Sequence, residues 1–263
     1  MKRNAVVSSL RGTFPVYELP DRLLWDNIGR RVRLDRLLAS HLDAKVYRYC
    51  SVAEALMLLR GGAWTFMKPT TWPDVYEKHV GKELFGDAAI FETLPGYVKC
   101  VSLEYSSEAM WRTYASTGGL VRLSWRLQDL VDELDAASFD RDGKVYLGVA
   151  RYVDEPAIRA EVARIKTAGV KPASQKAMRV LMMKRFGFAS ENEIRICFFP
   201  ERGVAPPFCT ATRFNPTMVD RMLIDPYLKP WQANELVKLF RDELKMPFRV
   251  SQSQFDTVYD PAP

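Results

Sequence analysis

The chain has 263 residues, 48% of them hydrophobic and 27% charged, with a net charge of +6. That length supports one large domain with a real core, and the mild basic bias is compatible with a phosphate-rich ligand or nucleic acid without requiring either. Only two histidines are present, His41 and His79, so a multi-histidine metal site is excluded and no metal is expected. No apolar run approaches the roughly 20 residues of a membrane helix, so no membrane partner is expected.

Met1-Lys2-Arg3 begins like a signal peptide, but the stretch that follows is too short and too polar to be one. The cysteines Cys50, Cys100, Cys197 and Cys209 show no C-x-x-C spacing. They read as reduced core residues, and the expected compartment is the cytoplasm.

Residues 20–42 carry Leu23, Leu24, Ile28, Leu34, Leu37 and Leu38 at helix-like spacing, with Arg30, Arg31, Arg33 and Arg36 on the other side. The expectation is a basic helical extension over residues 1–44, followed by a single α+β domain over residues 45–263. The arginines fit either a solvated helix face or a phosphate or nucleic-acid contact.

Lys45 to Cys50 is a β-prone run. Ser51 with Glu54 three residues later predicts a capped helix that stops at Gly61-Gly62. Trp64-Thr65-Phe66 predicts a short strand before the proline-rich turn at residues 68–74. Strands are predicted at residues 97–103, 120–125, 146–153, 190–199 and 222–224, with a last one at 248–250. Helices are predicted at residues 107–115, 127–134 and 231–244, with one or two basic helices in 156–187. This irregular mixture favours α+β over a doubly wound sheet.

Three segments can carry chemistry. The first is Glu191-Asn192-Glu193-Ile194-Arg195. On a strand, Glu191, Glu193 and Arg195 share one face, with Cα atoms of alternate residues roughly 6.5 to 7 Å apart. Two such carboxylates can act on one ligand, or they can form an exposed sheet face with a salt bridge. The second is Tyr47-Arg48-Tyr49, where the Arg48 fork can grip a phosphate or simply face solvent. The third is Trp111 and Tyr114, which share a helix face. They can wall a planar ring or belong to the core.

Several of these segments together resemble a bacterial family catalogued as domain of unknown function twenty-nine seventy-one. They are Tyr47-Arg48-Tyr49, the helix ending at Gly61-Gly62, Trp64-Thr65-Phe66 with Asp74 and Glu77, Ser102, Met110-Trp111 with Tyr114-Ala115, and Lys184 with Glu191-x-Glu193-x-Arg195. The chain departs from that family at Pro73, at Thr113 in place of a histidine, and at Phe188 in place of a tryptophan. More distantly, the order Arg48, Ser102, Glu191-x-Glu193 is similar to ADP-ribosyltransferases.

The latter resemblance implies a mostly antiparallel split sheet flanked by helices. It implies NAD as substrate and a toxin or anti-phage effector that modifies a protein or nucleic acid, with an antitoxin as a further partner. It implies that Arg48 and Tyr49 hold the NAD phosphate or adjacent ribose, and that Ser102 positions the nicotinamide side. Trp111 or Tyr114 would stack near the ring. Glu193 would stabilise the oxocarbenium-like transition state and Glu191 would act on the acceptor. The rival expectations are a nucleic-acid effector without NAD chemistry, motivated by Lys176, Arg179, Lys184 and Arg185, and a non-catalytic interaction module.

Overall fold

Alternating apolar residues, rich in valine, isoleucine and aromatic side chains, make strands the dominant element of this chain. The computed structural model describes residues 23–69, 96–105, 107–114, 119–167, 178–201, 208–212 and 214–254. Asp74, Glu77, Ala115 and Lys176 lie outside the described residues.

The described chain opens with strands β1 (Trp25–Asn27) and β2 (Val32–Asp35) and the short helix α1 (Arg36–Ala39). This corrects the expected long helix. Asp26, Asn27 and Gly29 interrupt the helical repeat. The Asp135 carboxylate then accepts the backbone N–H groups of Arg30, Arg31 and Val32 at 3.1, 2.6 and 3.2 Å. Any side chain at Gly29 would run into that carboxylate. Val32 and Leu34 then alternate into the core, and β2 pairs in parallel with a central strand. The arginines form no single face: Arg36 pairs with Asp26 and Arg31 with Asp142.

Strand β3 (Lys45–Ser51) leads into α2 (Val52–Gly61). Ser51 caps this helix by accepting the Glu54 N–H at 3.1 Å, and Gly62 closes it in the left-handed conformation at φ 60°. Next come β4 (Ala63–Met67), β5 (Tyr97–Ser102), α3 (Glu108–Tyr114) and β6 (Leu120–Arg126). Helix α4 (Leu127–Ala136) buries Leu127, Leu130, Val131 and Leu134, the inward stripe of an amphipathic helix.

After β7 (Ser138–Phe139), the run expected as one strand divides into β8 (Gly143–Val149) and β9 (Arg151–Val153). Helix α5 (Glu155–Thr167) follows. The basic stretch beyond it is not all helical. Its end forms β10 (Met183–Arg185), parallel to β9, and a 3-10 turn (Phe186–Glu191). The remaining elements are β11 (Glu193–Pro200), β12 (Phe208–Thr212), β13 (Arg221–Ile224), α6 (Pro230–Lys238), a π-helical turn (Leu239–Glu243) and β14 (Arg249–Gln252).

The main sheet runs β1-β2-β8-β11-β5-β3-β6-β13-β14, and its pairs are antiparallel except β2–β8 and β13–β14. The fold is therefore α+β, with a mostly antiparallel mixed sheet and flanking helices. Ile194, Ile196 and Phe198 fill one face of β11 in the main core. Its other face, carrying Glu193, Arg195 and Cys197, is also buried.

One junction positions the site. Strands β5 and β3 pair at the single rung Tyr47↔Ser102, and at its other end β5 pairs with β4 through Met67↔Val98. The sheet splits between β3 and β5. No helix among the described residues is long and apolar enough to cross a membrane.

Candidate active site

The split leaves a narrow cleft lined by Tyr47, Arg48, Tyr49, Cys100, Ser102, Tyr114, Glu191 and Glu193, among others. Six of the seven residues picked out from the sequence meet here. Trp111 does not line the cleft. It is fully buried against Tyr49, with ring centroids 5.1 Å apart, in a satellite core with Met110, Leu120 and Leu223.

Glu191 was expected on the strand beside Glu193. It instead ends the 3-10 turn, and Asn192 between them adopts the left-handed conformation at φ 43°. Asparagine tolerates that region better than most residues. The two carboxylates therefore come from two elements, yet both reach one ammonium group. Lys184 Nζ on β10 lies 2.7 Å from Glu191 Oε2 and 2.7 Å from Glu193 Oε2. Arg195 adds a longer contact to Glu193 at 3.4 Å. Glu191 and Glu193 are 6% and 4% exposed, which rules out the solvated sheet face.

These four charges balance. Burial alone would push the Glu193 carboxyl up, but Arg195 and Lys184 outweigh it and hold it at about 2. Burial likewise works against the Lys184 charge, and the nearby Glu193 and Glu191 carboxylates hold its ammonium above the usual lysine range. Burial, then Glu191 and Glu193, keep Tyr114 a phenol, and its hydroxyl donates to Glu191 Oε2 at 2.9 Å. The Tyr152 hydroxyl accepts the Glu193 N–H at 2.7 Å and fixes the start of β11.

The sequence presents Lys184 as part of a basic stretch and, in the family resemblance, beside Glu191-x-Glu193-x-Arg195, without assigning it a role in the site. Its sequence signal is its place at the end of the apolar run Val180-Leu181-Met182-Met183, which it shares with the adjacent Arg185. Its neighbours are engaged too: Arg179 pairs with Glu161, and the Arg185 guanidinium lies 5.1 Å from the Phe188 ring.

Ser102 is in the cleft wall with its hydroxyl committed. It donates to the Glu191 carbonyl at 2.6 Å and accepts the Glu104 N–H at 2.8 Å. Its geometry is that of a brace for the Glu191 backbone.

Arg48 is committed as well. Its Nη2 donates to both Glu54 oxygens at 2.8 and 3.0 Å, and its Nη1 donates to the Cys100 carbonyl at 2.9 Å. That carbonyl belongs to the part of β5 beyond the β3–β5 rung. Lys99 Nζ reaches Glu54 Oε1 at 2.7 Å and the Thr65 carbonyl at 3.2 Å. Burial opposes the Glu54 charge, but Arg48 and Lys99 prevail and hold it at about 2. The side chain of Glu54 thus serves this network rather than the reciprocal half of the expected capping box.

Among the described residues no group of three histidine, cysteine, aspartate or glutamate side chains is placed to hold a metal ion. Of the four cysteines, all free, only Cys100 is partly exposed.

No family model and no curated protein matches the chain. Two solved structures of DarT from Thermus sp. 2.9 are similar to it. The complex with ADP-ribosylated single-stranded DNA shares 10% identity at a TM-score of 0.37, covering 80% of this chain and 94% of that one. The complex with NAD+ shares 8% identity at a TM-score of 0.36, covering 80% and 96%. At these values the likeness assigns no residue a role.

Proposed function

We propose that this protein is an ADP-ribosyltransferase-like enzyme that breaks the nicotinamide glycosidic bond of NAD and passes the ADP-ribosyl group to a protein or nucleic-acid acceptor. The observation that carries this reading is the convergence, on one cleft at the sheet split, of a buried ionised carboxylate with a second carboxylate two residues away. Glu193, held in its charged form by Arg195 and Lys184, suits stabilisation of positive charge that develops on a ribose ring.

As the bond from ribose C1′ to the nicotinamide nitrogen breaks, its electron pair leaves with neutral nicotinamide and the ribose becomes cationic. Glu193 faces that charge. Glu191 receives the proton that the acceptor loses as it attacks C1′. Tyr114 and Lys184 orient the Glu191 carboxylate, and Ser102 pins its backbone.

The test is release of nicotinamide from NAD by the purified chain, with label transfer to lysate protein or nucleic acid followed in parallel. The expected result is turnover in the wild type and loss of at least about a hundredfold in Glu193→Gln, the scale of removing one electrostatic stabiliser. A wild type that neither binds NAD nor transfers label overturns the reading.

A further inference from the structure

Arg122 lies on β6, directly across the ladder from Tyr49. It is 4% exposed and makes no ion pair with a carboxylate among the described residues. Its guanidinium carbon lies 4.8 Å from the Tyr47 ring centre, 5.1 Å from Tyr105 and 6.0 Å from Tyr49. One nitrogen, Nη1, donates to the Tyr105 carbonyl. Its Nε meets no strict hydrogen-bond partner, and the buried Tyr49 hydroxyl lies close to the Arg122 guanidinium and the Ser107 backbone.

This is an unusual place for a cation. Burial of a guanidinium is costly unless an anion answers it, and aromatic faces offset only part of that cost. The other cations near the cleft are answered: Arg48 and Lys99 by Glu54, Lys184 and Arg195 by the two site glutamates. Arg122 keeps an unsatisfied donor and a full charge immediately behind Tyr47 and Tyr49, which line the cleft. Tyr105, at 48% exposure, is the outward ring of the three. The guanidinium is thus one side chain from solvent.

We infer that Arg122, with the Tyr49 hydroxyl, forms a phosphate-binding subsite behind the aromatic wall of the cleft, reached when the Tyr105 ring turns aside. A phosphate oxyanion matches both groups, because guanidinium presents a planar fork of donors and the phenol adds another. Arg48, the residue first expected to grip phosphate, has its fork filled by Glu54. The phosphate can belong to a dinucleotide or to a nucleic-acid backbone. The transferase reading bears on that source alone, and the subsite stands without it.

Calorimetric titration of the full chain separates the cases. The probes are inorganic pyrophosphate, ADP-ribose, nicotinamide riboside and a single-stranded oligonucleotide, measured against wild type, Arg122→Met, Arg122→Lys and Tyr49→Phe. The expected result is a loss of about tenfold or more in pyrophosphate affinity for Arg122→Met, the scale of one charge-assisted contact. A smaller loss is expected for Arg122→Lys and Tyr49→Phe, with no change for nicotinamide riboside. Loss that extends to ADP-ribose assigns the dinucleotide as source. Loss that extends to the oligonucleotide alone assigns a nucleic-acid backbone as source and leaves the NAD reading to the nicotinamide-release test. The subsite is overturned if the wild type binds no phosphate ligand, or if all variants bind pyrophosphate as the wild type does. NAD turnover that persists with unchanged KM in those variants removes the dinucleotide as the source of the phosphate. Should Arg122→Met fail to fold, Tyr49→Phe, which keeps the ring, decides: a pyrophosphate affinity equal to that of the wild type overturns the subsite, and a measurable loss supports it.

Discussion

Arg48 and Glu54 hold each other through both oxygens of the carboxylate, with Arg48 Nη2 at 2.8 and 3.0 Å. The pair is shared with Lys99, so two cations depend on one acid. Removing the acid should leave both charges poorly answered. Glu54→Gln is expected to cost about 3 kcal/mol of unfolding free energy. A cycle with Arg48→Met should return a coupling of about 2 kcal/mol by urea denaturation. A coupling near zero would mean that Arg48 is free in solution to hold a ligand.

Lys184 is the hub of the carboxylate pair, and its removal should be read in acid. Glu193 is held at about 2 against an ordinary 4.5. A folded value below the unfolded one contributes stability that is present above about pH 4.5 and is lost as pH falls toward 2. In Lys184→Met one of the two cations is gone, so the folded value rises and less of that contribution remains. The variant should be less stable by about 3 to 5 kcal/mol at neutral pH. Its remaining acid loss should begin near the same pH 4.5 and be complete at a higher pH than in wild type. Urea midpoints at a series of pH values check both.

Ser102 should behave as a brace. Ser102→Ala strands the Glu191 carbonyl and the Glu104 N–H, at a cost of about 1 to 3 kcal/mol. Because its hydroxyl is fully used within the protein, KM for NAD should stay unchanged while kcat falls as the Glu191 backbone loosens. A rise in KM with steady kcat would show that the hydroxyl touches substrate.

Much of the fold is legible in local pattern. Strands β3, β5, β6 and β11 announce themselves by period-two apolar residues, and Ser51 with Gly62 brackets α2. The N-terminal misreading is equally physical. Leu23, Leu24, Ile28 and Leu34 fit a helical repeat by spacing alone, but Asp26, Asn27 and Gly29 interrupt it and the distant Asp135 on α4 holds the turn between β1 and β2. The carboxylate pair is visible as Glu-x-Glu, but not its partition between a 3-10 turn and a strand, which depends on the backbone of Asn192. What Arg48 and Lys184 do is set by partners that local spacing does not identify. For Arg48, the decisive partners include Glu54 one helical turn into α2 and the Cys100 carbonyl across the split. Trp111 and Tyr114 lie on one short helix, as their spacing predicts, yet one packs on Tyr49 and the other reaches Glu191.

The lone rung between Tyr47 and Ser102 has a mechanical consequence. Glu193, Cys100 and Ser102 belong to one half of the sheet, with Glu191 on the turn that leads into it, and Tyr47, Arg48, Tyr49 and Arg122 belong to the other. The ladder that carries force through a continuous sheet is here reduced to one tie between two plates. Any molecule seated in the cleft would bolt the plates together. Occupancy should then be readable far from the cleft, as slowed amide hydrogen exchange along β3 and β5 at once.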